Sequence, residues 1–545
     1  MVNIYNTNKK PFYIFLTFWF VLFLAPYLYL MLMANLDLTT PYALFMDEDI
    51  TFRGIRNIFN SKNYFEFKSN VMDGKDQRYG RILWNLSALT SYIPYQFFGD
   101  SGQIFTTRIT QAFILLASYI LLVSNFLKNS YLKVITLSIL MTLPYTPYYA
   151  SMPKPEPILL FLLSLFFTIQ GSKIEPISKL NGFIIGMALG AKISALPFFL
   201  ATNILWITNI FLNQVYSKLQ KIKIFLSTFL FTILGLCFSV PILFEGRLNK
   251  YLEYTIKNTG HGADNSDVNL LSWVDAIFNN YFNFPIKLIS EISLFSILLI
   301  GVLILSKRVS INKNNFFHQL FKSLTDKKIM AIICMLSFSL PVLLFVKRVW
   351  LMYLHVGTVF FIVLGISGLE IYLTKFKKSG KALIYISSMY AFYILTFQTV
   401  STYQEFQLLA NRTNTEEHIR KENERKFLLT LIEKRATKLK KNLKVSAHPR
   451  LYWKTQSEHF TISPFWGPFT LWSSNFDLVV MYKESEPEEW MKRINEKSKN
   501  FEIVKKSIEL KREFTNNCKS KPICYSKIES PIPELVIYKK MRDLK

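Results

Sequence analysis

Apolar runs of roughly 20 residues, the length that crosses a bilayer, alternate with short polar segments through most of the chain. The first run, residues 11–33, is too long for the core of a signal peptide, and no small-residue cleavage pattern follows it. We therefore expect it to remain as a transmembrane helix. Further spans are predicted at 103–127, 131–150, 156–171, 183–213, 224–244, 286–306, 329–346, 352–374 and 382–403.

The run 183–213 is long for one helix and carries Lys192 and Pro197 near its middle. If this run forms a hairpin of two short helices, the chain has about 11 predicted transmembrane spans. The segments on one side, beginning with 1–10, then hold 19 Lys and Arg in 63 residues, whereas those on the other side hold 13 in 119. Because cytoplasmic loops are enriched in Lys and Arg, this count favours the hairpin, a cytoplasmic N-terminus and an extracytoplasmic C-terminus.

The first outer loop, residues 34–102, contains two stretches that suit helices lying in the membrane interface. In one, the apolar residues Ile50, Ile55, Ile58 and Phe59 can share a helix face, and the other is the aromatic stretch 81–98. A second outer loop is predicted at 246–285.

The polar tail 404–545 predicts a small soluble domain. Its segment 415–440 has a helical pattern, while Asp477–Tyr482 and Glu534–Tyr538 have the composition of strands. We therefore predict an extracytoplasmic α/β domain after a transmembrane domain spanning 1–403.

Composition supports a polytopic membrane protein, since 51% of the 545 residues are hydrophobic and 16% are aromatic. The net charge of +27 would suggest nucleic acid in a soluble protein. Here Lys and Arg lie mainly in short loops between apolar runs, where they set topology and meet anionic lipid. We expect a bacterial inner-membrane protein that does not bind nucleic acid.

The four cysteines give little information about function. Cys237 and Cys334 lie singly in apolar runs and indicate packing. Cys518 and Cys524 lie six residues apart in the predicted outer domain, where a disulfide and two free thiols are both compatible with the sequence.

Three consecutive acids, Asp47, Glu48 and Asp49, follow the first apolar run. Such a cluster at the mouth of a membrane bundle costs desolvation and mutual repulsion, which a cation, a phosphate-bearing substrate or a proton-transfer step would justify. The alternative is that the acids cap an interfacial helix beginning near Ile50, because acids favour a helix N-terminus.

The predicted turn between spans three and four reads Met152-Pro153-Lys154-Pro155-Glu156-Pro157. Alternating prolines fix an extended backbone and end the preceding helix, so the turn would hold Lys154 and Glu156 rigidly at the bilayer surface. Glu156 could instead be a simple first-turn acid, and Lys154 could extend towards lipid headgroups.

These features together resemble the GT-C superfamily of integral-membrane glycosyltransferases. The resemblance rests on the Asp-Glu pair after the first span, the acid in the next outer turn, the stretch GMALGAKISALP at 186–197 and the outer C-terminal domain. It is greatest to the bacterial branch with the aminoarabinose transferase of lipid A, the lipopolysaccharide-core transferases of rhizobia and the protein O-mannosyltransferases.

The resemblance implies a catalytic role for three acids. Asp47 matches the family's acid after the first span, which acts as general base on the acceptor hydroxyl or orients it, and Glu48 completes the pair. Glu156 falls on the family's second acid, where relatives commonly have Asp.

Displacement of a phosphate from an anomeric carbon also needs positive charge for the leaving lipid phosphate. Lys154, Lys192, Arg348 and Lys347 lie near the predicted outer mouth and are candidates for this task. For Lys192, a lysine inside an apolar run, we expect an acid partner from the first loop.

Two histidines are further candidates for substrate binding. His261 lies in the loop 246–285 and could contact the acceptor, although it could equally be a solvated loop residue. His355 lies near the start of the run 352–374, two residues beyond Tyr353, and could hydrogen-bond a sugar or a phosphate.

The expected function is transfer of a sugar from a polyprenyl-phosphate donor to a cell-envelope glycan, lipid or protein, at the extracytoplasmic face. The alternative is an envelope polysaccharide polymerase or transporter. The acids could supply oxygen ligands to Mg²⁺ or Mn²⁺, but the resembling branch implies no metal and no other cofactor.

Overall fold

The structure is a computed structural model. It describes residues 9–37, 46–72, 81–170, 179–212, 217–249, 271–273, 299–305, 326–345, 351–375, 399–408, 416–439, 442–447, 460–464, 476–483, 525–528, 530, 532–533 and 535–540.

Helices dominate the described part of the chain. The α-helices are α1 Lys9–Trp19, α2 Ala25–Asp37, α3 Met46–Phe59, α4 Tyr64–Met72, α5 Ile82–Phe126, α6 Ser130–Met141, α7 Thr146–Ser151, α8 Pro155–Ile169, α9 Lys179–Ala191, α10 Leu196–Leu212, α11 Lys218–Ser239, α12 Lys327–Phe345, α13 His355–Lys375 and α14 Glu416–Leu439. A π-helical turn, Phe20–Leu24, joins α1 to α2, and short 3-10 helices lie at Ile193–Ala195, Pro241–Glu245 and Leu351–Leu354.

The chain forms two compact units. One comprises Met1–Thr39 and Gly54–Ala410, and the other Thr40–Arg53 and Asn411–Lys545. The predicted domain boundary at 403 stays a prediction.

The first unit contains five helices that are long and apolar enough to cross a membrane, within the part of the chain that the structure describes. They are Phe12–Leu36, Ile82–Phe126, Lys218–Ser239, Lys327–Leu344 and Met352–Tyr372. Shorter apolar helices accompany them, and together they make this an integral-membrane protein. The predicted spans 286–306 and 382–403 lie largely outside the described residues.

Two predicted spans are interrupted. The run 183–213 is divided into α9 and α10 at Lys192, whose backbone is extended, in agreement with the predicted pair of short helices. The run 131–150 was predicted as one helix, and that prediction is wrong. It divides into α6 and α7 around Pro144, because a proline lacks the N–H that continues a helix and displaces the preceding carbonyl.

The aromatic stretch 81–98 is helical, as expected, and continues into a membrane-length helix through a bend within α5. The bend lies at Gly99, where φ is 59°, a left-handed conformation that glycine adopts without a steric penalty. A Cβ at Gly102 would lie 2.3 Å from the Pro94 carbonyl oxygen, so the bend also needs a small residue there. Arg56 of α3 fixes the bend by an ion pair of 2.5 Å with Asp100.

Helices α9 and α11 lie in very close contact through glycines. A Cβ at Gly186 would lie 2.0 Å from the Thr232 carbonyl oxygen, and one at Gly235 would lie 1.9 Å from the Phe183 carbonyl oxygen. Small residues allow two membrane helices to approach backbone to backbone, where dispersion and weak polar contacts stabilise the pair.

Contacts along the helices define two ends of the bundle. Ser164 of α8 donates to the Ser118 carbonyl of α5, and Asn125 contacts Thr168 further along, so these helices are parallel. We call the end with the start of α8 and the end of α9 the upper end, and the opposite end, with Phe126 and the start of α12, the lower end.

Charged and amide groups fasten the helices together at the lower end. The Glu370 carboxylate of α13 accepts hydrogen bonds from the backbone N–H groups of Lys128 and Asn129, just before α6. The Lys327 ammonium donates to the Asn125 side chain and to the Gln170 carbonyl, 3.0 and 3.2 Å away. These contacts tie α5, α6, α8, α12 and α13 to one another.

The second unit contains a five-stranded sheet. Its strands are β1 Leu443–Ala447, β2 Phe460–Pro464, β3 Leu478–Tyr482, β4 Tyr525–Ile528 and β5 Leu535–Lys540, in the order β2-β1-β3-β5-β4. The first three are parallel, and β5 is antiparallel to both of its neighbours.

Helix α14 covers one face of this sheet. Leu428, Ile432 and Ala436, spaced four residues apart on one helix face, pack in the same core as β1 and β3. The predicted helix and both predicted strands are present, so the mixed α/β character is confirmed.

We predict that Gly186→Ala lowers the free energy of unfolding by about 1–3 kcal/mol, because the new methyl group forces α9 and α11 apart. Thermal unfolding in detergent would measure this. The control Leu230→Ala, at a side chain on α11 that is 54% exposed, should change stability by less than about 0.5 kcal/mol. Equal effects of both variants would contradict the close-packing argument.

Candidate functional site

The upper end of the bundle is built on the start of α8. Pro153 and Pro155 hold Lys154 in an extended conformation, with φ −136° and ψ 157°, and α8 begins at Pro155. Proline suits the first helical position because no N–H is needed there. Glu156 therefore lies in the first turn of α8, where a carboxylate is favoured by the helix dipole.

Lys192 approaches Glu156 from a break between two helices. Its extended backbone, with φ −157°, ends α9 before the short 3-10 helix Ile193–Ala195. The Lys192 ammonium forms a salt bridge and hydrogen bond with Glu156 Oε1. The partner found in the structure is thus Glu156, in the first turn of α8. The expected contact with the acids Asp47, Glu48 and Asp49 of the first loop stays a prediction, because their side chains are not described.

This ion pair is largely removed from solvent. The side chain of Glu156 is 8% exposed and that of Lys192 is 14% exposed. The Lys192 ammonium also lies 5.1 Å from the ring centre of Tyr353, a distance at which the ring face stabilises a cation. Lys154, which is buried as well, acts electrostatically on Glu156.

Two lysine side chains therefore act on one buried carboxylate. A buried pair alone often contributes little to stability, because desolvation offsets the attraction. The ammonium groups of Lys154 and Lys192 both act on the same glutamate, and their positive potential at this end of the bundle favours an anion that enters from solvent or from the membrane surface.

A second group of polar side chains lies around His355, the first residue of α13. His355 Nε2 lies 2.9 Å from the Tyr119 hydroxyl, which lies 2.9 Å from Thr146 Oγ1. The Tyr149 ring packs on the imidazole with 4.9 Å between ring centres, and the Tyr149 hydroxyl donates to the Met352 carbonyl. Tyr353, whose ring centre lies 5.1 Å from the Lys192 ammonium, precedes His355 by two residues, so the two groups belong to one site.

Helix α5 adds neutral polar groups at the same height. Thr107 and Gln111 are fully buried, and no hydrogen-bond partner is present for Thr107 Oγ1 or for either polar atom of the Gln111 amide among the residues described. Counting back seven residues from the contact between Ser118 and Ser164 places Gln111 level with Pro157, beside the start of α8.

Sequence reasoning missed the tyrosines, Gln111 and a buried arginine. The Arg81 guanidinium packs on Trp84, 4.1 Å from its ring centre, and donates to the carbonyls of Asn70 and Val71. Its backbone N–H donates to the carbonyl of Ser239, at the end of α11. Gln111 could have been noticed as a polar residue within an apolar run. Its position also fits an ordinary buried residue of a helix, so the sequence alone did not mark it as functional.

The structure brings together four of the predicted site residues: Lys154, Glu156, Lys192 and His355. Asp47 and Glu48 lie in the first turn of α3, which begins at Met46 rather than near Ile50, and their side chains are outside the description. The other three predicted residues, His261, Lys347 and Arg348, lie outside the described residues.

Metal binding is not decided by the arrangement. Within the described ranges, no group of three His, Cys, Asp or Glu side chains is placed to hold a metal ion. Because the side chains of Asp47, Glu48 and Asp49 are not among those described, the expectation of a metal-free site stays a prediction.

The fold is similar to that of two solved structures of ArnT from Cupriavidus metallidurans. The structure with bound undecaprenyl phosphate has a TM-score of 0.52 and 11% identity, over 97% of this chain and 99% of that one. The structure without ligand has a TM-score of 0.49 and 10% identity, over 96% and 98% of the two chains. This chain has an ArnT-like fold.

ArnT is an aminoarabinose transferase of the GT-C class, so the predicted resemblance is confirmed at the level of the fold. The sequence itself matches no protein-family model. No curated protein matches it significantly either. The likeness is therefore carried by the course of the backbone.

We predict that Lys192→Met destabilises the protein by about 3–5 kcal/mol, because it leaves the Glu156 charge buried beside fewer cations. The double variant Glu156→Gln with Lys192→Met should regain most of this loss, since the carboxylate that lost its salt-bridge partner is no longer charged. Thermal unfolding in detergent is the measurement, with Lys223→Met at an exposed position of α11 as control. Additive losses in the double variant would show that the two side chains do not interact.

Proposed function

We propose that the protein is a membrane glycosyltransferase that moves a sugar from a polyprenyl-phosphate donor to a cell-envelope glycan, lipid or protein. The observation that carries the proposal is the buried pair of Glu156 and Lys192 with Lys154 beside it, at one end of an apolar bundle. A lipid phosphate is an anion that reaches such a site from the membrane.

The fold supports this proposal. ArnT from Cupriavidus metallidurans, which has a similar fold, binds undecaprenyl phosphate. Since that likeness concerns the fold, the donor class of this chain rests on its own charges: the lysines offer hydrogen bonds and positive charge to a phosphate.

In the proposed reaction the oxygen of an acceptor hydroxyl attacks the anomeric carbon of the donor. The bond between that carbon and the phosphate oxygen breaks, and the acceptor proton passes to a general base. Asp47 is the proposed base, with Glu48 beside it in sequence and Glu156 as the second acid.

The charge that develops on the departing polyprenyl phosphate is stabilised by the basic side chains of the upper end. We assign this role to Lys154 and Lys192, and we extend it to Lys347 and Arg348, which are separated by two residues from the short helix Leu351–Leu354 in sequence. His261 is proposed to contact the acceptor. Attack opposite the leaving phosphate would invert the anomeric centre, and the reaction needs no metal.

The proposed orientation places the upper end outside the cytoplasm of a bacterial inner membrane. It is supported by the lower end, where α9, α11 and α12 begin at Lys179, Lys218 and Lys327, as expected for a cytoplasmic side. The domain 404–545 would then lie outside the cytoplasm as a soluble domain, as would the outer loops 34–102 and 246–285.

An envelope polysaccharide polymerase or transporter is the alternative function. A transporter would place its charged residues near the bilayer midplane and often shows inverted repeats. The described charged pair lies instead at the helix ends, which favours a reaction at the membrane surface.

We predict that Asp47→Asn and Arg348→Met affect different steps. Asp47→Asn should reduce the single-turnover rate of sugar transfer by at least about a hundredfold with donor binding retained, because general-base catalysis contributes about 10²–10⁴. Arg348→Met should instead weaken binding of undecaprenyl phosphate about tenfold or more, through loss of a charge-assisted hydrogen bond. Radiolabelled donor gives both measurements.

Matched controls lie at the lower end. Asp326→Asn retains the hydrogen bond that Asp326 accepts from the Lys328 backbone, and Lys223→Met removes an exposed lysine. Neither should change transfer or binding. Normal turnover of Asp47→Asn would reject this residue as the base, and unchanged lipid binding in Arg348→Met would reject the proposed phosphate contact.

A further inference from the structure

The hydrogen bonds around His355 determine which of its two nitrogens carries the proton. Thr146 Oγ1 lies 2.7 Å from the Leu140 carbonyl, which can only accept, so the single hydroxyl proton of Thr146 is donated there. The contact between Thr146 and Tyr119 must then be donated by the Tyr119 hydroxyl.

The Tyr119 hydroxyl has one proton as well, and Thr146 accepts it. The contact between Tyr119 and His355 can therefore be donated only by the imidazole, through Nε2–H. A neutral His355 with its proton on Nε2 has a lone pair on Nδ1, so Nδ1 is a hydrogen-bond acceptor.

This acceptor is buried and unused. His355 is 1% exposed, and no described residue hydrogen-bonds to Nδ1. The same holds for Oε2 of Glu156, whose residue is 6% exposed and whose other oxygen binds Lys192. Two buried acceptors of the same site thus lack donors among the described residues, a costly arrangement unless a ligand or a water supplies them.

The chemistry of these atoms selects among ligands. A phosphate oxygen is itself an acceptor and would be repelled by a lone pair on Nδ1 and by a carboxylate oxygen. A hydroxyl group can donate to either atom. Gln111 and Thr107, at the same height on α5, add neutral groups that can both donate and accept, which suits a ring carrying several hydroxyls.

We propose that Nδ1 of His355 and Oε2 of Glu156 accept hydrogen bonds from hydroxyls of the donor's sugar, and that Tyr119 and Thr146 position His355 by fixing its tautomer. The site is thereby divided into a cationic part for phosphate, with Lys154 and Lys192, and an acceptor part for sugar. The assignment to a sugar rests on the proposed glycosyltransferase function, whereas the assignment of the tautomer does not.

The tautomer is measured by ¹⁵N NMR of histidine-labelled protein in nanodiscs, with His355→Gln identifying the signal. We expect Nε2 protonated and Nδ1 unprotonated at neutral pH. Tyr119→Phe should release this preference and give both tautomers. Tyr149→Phe, which loses its bond to the Met352 carbonyl but keeps a ring beside His355, should retain the preference. A proton on Nδ1 in the unaltered protein would overturn the inference.

The ligand is tested with two variants that differ in which polar atom they keep. His355→Asn places an oxygen near the position of Nδ1, whereas His355→Gln places its amide near Nε2. The probes are bare undecaprenyl phosphate and undecaprenyl phosphate carrying glucose, galactose, mannose or arabinose. His355→Gln should weaken binding of the sugar-bearing probe that the unaltered protein binds most tightly, by about tenfold, and should leave binding of the bare lipid unchanged. His355→Asn should bind both probes as the unaltered protein does.

The outcomes separate this inference from the proposed function. Equal weakening of the bare lipid, or equal binding by the Gln and Asn variants, would overturn the sugar contact. So would an unaltered protein that binds no sugar-bearing probe better than the bare lipid, since the acceptors would then hold water only. If the protein binds neither class of lipid, the proposed function and the sugar contact both fail, while the tautomer result stands.

Discussion

The buried salt bridge between Glu156 and Lys192 is the interaction on which the rest of the upper end depends. A single charge in an apolar bundle costs several kcal/mol or more, so each side chain needs the other. The chain meets this requirement by two local interruptions, the proline turn before α8 and the extended residue that ends α9. Both interruptions lie at the same height, and the charges meet there.

Helix packing makes this meeting possible. The glycines of α9 and α11 allow the two backbones to touch. Helix α9 also packs on α8, and this contact places the end of α9 next to the start of α8. At the lower end, Glu370 and Lys327 join the opposite ends of the helices by hydrogen bonds to backbone and amide groups. The bundle is therefore fixed at both ends, with a charged site at one of them.

The sequence was a good guide to the individual charged residues and a poor guide to their partners. Glu156 and Lys192 stood out because carboxylates and ammonium groups are costly beside apolar runs. Their pairing depends on how α8 and α9 pack, which the sequence does not encode locally. His355 was noticed, whereas Tyr119 and Thr146 were not, because hydroxyl side chains spaced along apolar helices have the same pattern as ordinary core residues.

The fold shows the same division. Long apolar runs predicted most helices, but one run is divided at Pro144. Other prolines, Pro94 and Pro341, lie inside continuous helices, so the sequence alone does not show which proline ends a helix. In the C-terminal unit β3 and β5 were predicted from their strand-like composition. Strands β1, β2 and β4 were not, because four or five residues that mix polar and apolar side chains carry little local signal.

The most direct test of the central claim is an electron cryo-microscopy structure of the protein in nanodiscs with undecaprenyl phosphate. The account predicts phosphate density within about 3 Å of the ammonium groups of Lys154 or Lys192, the length of a charge-assisted hydrogen bond, with His355 contacting no phosphate oxygen. A lipid phosphate bound at the lower end, or elsewhere without contact to these lysines, would contradict it.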